Sequence, residues 1–102
     1  PPHTLDIEAI STVGLDRVMW GSDYPHDEGT GPYTLEHLQQ VWHDTDEAVL
    51  RRVLAGNAAD LYGFDLDALA PLAAQYGPTV AEVATPLDRL PDNPNEALLR
   101  NV

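Results

Sequence analysis

Asp16-Arg17-Val18-Met19-Trp20-Gly21-Ser22-Asp23-Tyr24-Pro25-His26-Asp27-Glu28 is the stretch on which the reading of this chain turns. Its apolar run, Val18-Met19-Trp20, is too short for a helix and favours extended backbone, so the sequence predicts a short buried strand over residues 17–21. Gly21-Ser22 stops the run. An acid, an aromatic, a proline, a histidine and two more acids follow at once. A buried strand that breaks into a polar loop sets ionisable groups at the mouth of a fold, where chemistry is commonly placed.

On the N-terminal side, Leu5, Ile7, Ile10 and Val13 recur at helical spacing, with Thr4 placed to cap and Gly14 to stop a helix of about ten residues. Helix, tight turn and buried strand form the αβ step of a parallel architecture. On the C-terminal side, Pro25, Gly29, Gly31 and Pro32 make residues 23–32 a loop. Thr34 is expected to cap the next helix, with Leu35, Leu38, Val41 and Trp42 as its apolar stripe and an end near Asp44. Asp44 and Glu47 resemble a capping box for a helix over residues 45–54, with Val49, Leu50, Val53 and Leu54 inward. Gly56-Asn57 is expected to break it, Asn57 to cap the turns through Leu61-Tyr62, and Gly63 to stop them. An Ala-rich helix from Asp65 to about Tyr76 follows, with Leu66, Leu69, Leu72 and Ala73 on one face. Thr79 to Val83 reads as a short helix. The remainder, with Pro86, Pro91 and Pro94, reads as an extended strap ending in an apolar turn at Ala97-Leu98-Leu99.

Composition excludes several chemistries. A net charge of −12 over 102 residues argues against nucleic acid and anionic membrane as partners. All five basic residues are Arg, so Schiff-base and P-loop lysines are absent. Without Cys there is no disulfide, thiolate metal site or thiol nucleophile. No apolar run approaches the ~20 residues of a membrane span, and none reads as a signal peptide, so the expectation is a cytoplasmic protein. One convincing strand cannot make a parallel sheet, because such a strand needs neighbours on both sides. The chain is therefore expected to be a small helical bundle around one odd strand, or a piece of something larger.

Asp23 is the candidate site residue. A carboxylate two residues past a strand can act as a general base or as a hard oxygen ligand for a divalent metal. His26, Asp27 and Glu28 could ligate, carry protons or face a substrate. The alternative is a loop in which Asp23 bonds backbone N–H groups while the other three form a solvated rim. An EF-hand starting at Asp23 fails, because Pro25 holds its third position and Thr34 its last. Gly21-Ser22-Asp23 lacks the second Gly of a nucleophile elbow. His37 and His43 are six residues apart, out of register for chelation from one helix.

Leu-Asp-Arg-Val-Met-Trp-Gly-Ser-Asp-Tyr-Pro-His-Asp-Glu, from Leu15 to Glu28, resembles the last barrel strand and following loop of the amidohydrolase superfamily. The likeness is to the amidohydrolase-related branch that includes aminocarboxymuconate-semialdehyde decarboxylase-like enzymes. Val-Leu-Arg-Arg-Val-Leu-Ala-Gly-Asn-Ala-Ala-Asp-Leu-Tyr-Gly, from Val49 to Gly63, is similar to the helical ending of that group. Tyr76-Gly77-Pro78-Thr79 and Pro86-Leu87-Asp88 resemble the C-terminal extension of some members.

The resemblance implies the C-terminal part of an α/β TIM barrel. Residues 1–64 would supply its helix 7, strand 8, helix 8 and closing helices, and residues 65–102 a further helix and extended tail. The chain itself would be mostly α-helical with one short strand. It implies a divalent metal, with zinc the usual one, and a small-molecule substrate that is hydrolysed at a C–N or C–O bond or decarboxylated without oxidation. Asp23 matches the family's last-strand Asp, which ligates or adjoins the metal and takes a proton from bound water. His26 matches a loop position that faces the substrate. The chain holds no His-x-His pair and none of the earlier strands, so it is expected to be inactive alone and to need the rest of its barrel, or a second copy, as partner. The competing expectations are a small helical interaction module and an autonomous metal site on Asp23, His26 and Asp27 or Glu28.

Overall fold

The computed structural model describes residues 4–23 and 29–100. Helix α1 (Thr4–Val13) ends at Gly14, whose φ of 96° is open to glycine and strained for other residues. Gly14 N–H closes the helix on Ile10 O at 3.0 Å. A single 3-10 turn, Leu15–Arg17, follows, and residues 18–23 then run without regular structure.

Helix α2 (Thr34–Trp42) lays Leu38, Val41 and Trp42 into the core, as their spacing predicts. Thr34 is its first helical residue, with Tyr33 in the cap position, so the expected Thr34 cap is corrected. The Thr34 hydroxyl is instead paired with that of Thr30 at 2.9 Å. Helix α3 (Glu47–Arg51), a π turn (Arg52–Gly56) and helix α4 (Asn57–Tyr62) follow one another without a break. Arg51, Arg52, Gly56 and Asn57 all keep right-handed helical angles. The break expected at Gly56-Asn57 is therefore absent: the helix widens by a π turn instead of stopping. The Asp44–Glu47 capping box is also not formed, because Asp46 takes the cap position without a side-chain bond. Gly63, at φ 76°, stops α4 as expected.

Helix α5 (Leu66–Tyr76) is capped by Asp65, whose Oδ1 accepts from Ala68 N–H at 3.1 Å. Its expected inward face is not buried: Leu66, Leu69 and Leu72 are 46%, 43% and 54% exposed. Periodicity marks an apolar face but not what covers it, and no described residue buries this one. Helix α6 (Val80–Val83) opens with a full capping box between Thr79 and Glu82. Helix α7 (Glu96–Leu99) forms at the expected apolar turn and buries Ala97 and Leu98 completely.

The core joins Leu38, Val41 and Trp42 of α2 to Leu50 of α3, Val53 of the π turn and Val83 of α6. Ile10, Leu15, Val18 and Trp20 pack against it from the N-terminal side. Gln39 of α2 donates to Glu82 O and Gln40 to Leu98 O, each at 3.0 Å, so α2 is tied to α6 and α7 by side-chain amides as well as by packing.

No strand is formed among the described residues, which corrects the short strand expected over residues 17–21. Arg17 belongs to the 3-10 turn, and Val18 is extended at φ −108°, ψ 127°. An extended segment becomes a strand only against a neighbouring strand. Here Trp20 N–H finds the Val53 carbonyl of the π turn at 3.0 Å. Met19 is 41% exposed, and Val18 and Trp20 are half-buried. Among the described residues no helix is long and apolar enough to cross a membrane.

Candidate functional site

The extended segment that leads to Asp23 is held from behind by three residues of the π turn and α4. Asn57 is only 3% exposed, and its Nδ2 donates to Leu15 O at 2.6 Å and Val18 O at 2.8 Å. Val53 O accepts from Trp20 N–H. Arg52 spans the outside, with Nη2 3.3 Å from Asp16 Oδ1 and Nη1 3.0 Å from Asp60 Oδ2. Both acids are well exposed, so these pairs contribute little beside the Asn57 bonds. Asn57 caps nothing here. It is an interior helical residue whose amide replaces the strand partner that residues 15–18 lack.

Asp23 closes the segment. Its side chain is exposed, and its φ of 58° makes it the one non-glycine residue with positive φ among those described. Aspartate tolerates this conformation better than most side chains. The preceding carbonyl, Ser22 O, accepts from Thr30 N–H at 2.9 Å. The chain therefore departs at Asp23 and is back alongside it at Gly29 and Thr30, both buried. Tyr33 N–H returns to Thr30 O at 2.8 Å across a turn in which the Gly31–Pro32 bond is cis. The Nδ2 of Asn95, from the C-terminal tail, reaches Thr30 O at 3.0 Å and Gly31 O at 3.2 Å.

His26, with Asp27 and Glu28, lies outside the described residues. His43 is engaged locally: its Nδ1 donates to Gln39 O at 2.7 Å. Among the described residues no three His, Asp or Glu side chains come together so as to hold a metal ion. A zinc centre takes three or more protein ligands, so the donor set is not completed by them. What the described site offers is one exposed carboxylate on a fastened backbone. It can accept a proton from water or lend an oxygen to a hard cation.

Sequence reasoning singled out Asp23 as a candidate but not the residues that hold the segment leading to it. Asn57 had a usable signal: an asparagine inside a helical run competes with the helix unless its side chain is used elsewhere. For Asn95, in a proline-rich tail, no pattern pointed to residues 29–31.

A family model described as Amidohydrolase matches residues 7–64. No curated protein and no solved structure matches the chain. The matched span contains the extended segment, Asp23, Asn57 and the helical run to Gly63, whereas α5, α6 and α7 lie beyond it.

Proposed function

The chain belongs to the amidohydrolase family, and we propose that it is the C-terminal portion of a metal-dependent enzyme of that family in which Asp23 is the acting carboxylate. The family implies a TIM barrel. In such barrels catalytic groups come from the C-terminal ends of the strands. The observation that carries the reading is the position of Asp23: it ends an extended segment inside the matched span, exposed at φ 58°, and the residues before it are fastened through Val18 O, Trp20 N–H and Ser22 O. An extended segment whose hydrogen bonds go to a helix and a side-chain amide is what a last barrel strand looks like without its neighbours.

The chemistry assigned to this chain is that of the carboxylate alone. Asp23 takes a proton from water, and a fixed backbone spares the reorganisation that a mobile acid would need. The implied metal, zinc by family custom, requires donors beyond the described residues. So does a substrate pocket, which a barrel builds from all eight strand-to-helix loops. The reaction is hydrolysis of a C–N or C–O bond or, in the branch whose segments the chain resembles, decarboxylation without oxidation. By the same family resemblance, His26 is the companion residue proposed to bind the substrate.

The test is the reading frame upstream of Pro1. It should encode about two hundred further residues that include a His-x-His pair. In the protein so encoded, Asp23→Asn should lower kcat by at least about a hundredfold with an unchanged circular dichroism spectrum. A stop codon immediately upstream, or full activity in Asp23→Asn, overturns the reading.

A further inference from the structure

Asn95 lies outside the matched span, yet its side chain meets residues 29–31, whose Thr30 pairs with the Ser22 carbonyl that precedes Asp23. Its Oδ1 accepts from Leu98 N–H at 3.1 Å and so caps α7. Its Nδ2 faces the other way, 3.0 Å from Thr30 O, 3.2 Å from Gly31 O and 3.4 Å from Gly29 O. An amide NH2 carries two hydrogens, so three carbonyls converge on two donors. The peptide unit joining Gly29 to Thr30 then acts as a bridge. Its carbonyl faces Asn95, and its N–H donates to Ser22 O at 2.9 Å. Ser22 O belongs to the peptide unit that leads into Asp23. Asn95 is itself well anchored, because Ala97 and Leu98 are fully buried and Gln40 holds Leu98 O at 3.0 Å.

We propose that Asn95 is a positioning residue for Asp23: the tail, through the Asn95 amide, fastens residues 29–31 and through Thr30 fixes the Ser22–Asp23 peptide. Hydrogen bonds in series polarise one another, so removing the first donor loosens the last link. The catalytic importance of this arrangement rests on the reading of Asp23 given above. The positioning itself is measurable without metal or substrate, so the two can fail separately.

Helix capping alone would predict something different. Asn95→Asp keeps an acceptor for Leu98 N–H and removes the NH2 donors, and Asn95→Ser keeps an uncharged cap too short to reach the three carbonyls. The experiment is amide hydrogen exchange on the isotope-labelled 102-residue chain, wild type and both variants, with Trp20 N–H as internal reference. Both variants should exchange Thr30 N–H roughly tenfold faster and move the Asp23 amide resonance, while Trp20 stays at its wild-type rate. Wild-type exchange at Thr30 in Asn95→Ser, or an unmoved Asp23 resonance, overturns the proposal. So does equal acceleration of Thr30 and Trp20, which would mean that Asn95 only stabilises the chain as a whole.

Discussion

Asn57 and Arg52 sit within one turn of each other and show how differently two polar residues serve the same segment. The Asn57 amide is buried and donates twice, to Leu15 O and to Val18 O. Asn57→Ala should destabilise the chain by about 1–3 kcal/mol, because two part-buried carbonyls lose the donor that a buried amide supplies. The midpoint of urea unfolding reads this directly. The Arg52 pairs join groups that water also reaches, with Asp60 69% exposed. Asp60→Asn should therefore change stability by less than about 1 kcal/mol, and by still less in high salt. Asp23 stood out in the sequence as a candidate because an acid after an apolar run and a small-residue pair is a local pattern. The support was not legible, because a helical Asn reads as a cap until the carbonyls facing it are known. His26 was singled out by the same local pattern and lies outside the described residues.

At the scale of elements, helices were legible wherever apolar spacing and end signals agreed. Gly14 and Gly63 stop α1 and α4 where expected, both at positive φ, and Thr79 with Glu82 forms the box that opens α6. The reading failed where one element's form depends on another. Residues 17–21 have strand chemistry and lack a strand beside them, so their hydrogen bonds go to Val53 and Asn57. Gly56-Asn57 has the composition of a break, but tertiary bonds on both sides of the π turn carry the helix through it. Leu98 is the residue through which α7 grips α2. Leu98→Ala should cost about 2–4 kcal/mol by opening a cavity at a fully buried site, measured as a fall in denaturation midpoint.

For the whole molecule, the dominant facts are a charge of −12 and an uncovered apolar ridge along α5, with Leu66, Leu69, Leu72 and Tyr76 all exposed. Like charge opposes the association of copies near neutral pH. Toward the isoelectric point of about 4.3 that repulsion disappears and the ridge is free to associate. Light scattering should show growing particle mass as pH falls toward that value. A Leu69→Glu, Leu72→Glu double variant should stay monodisperse further down, with a thermal midpoint close to wild type, since neither side chain is part of the core. The tail adds a consequence in time. The bonds from Asn95 to residues 29–31 span 64 to 66 positions. Synthesis runs from the N-terminus, and distant contacts are slow to close. The segment carrying Asp23 thus leaves the ribosome ahead of its clasp and waits, incompletely fastened, until Asn95 follows some seventy residues later.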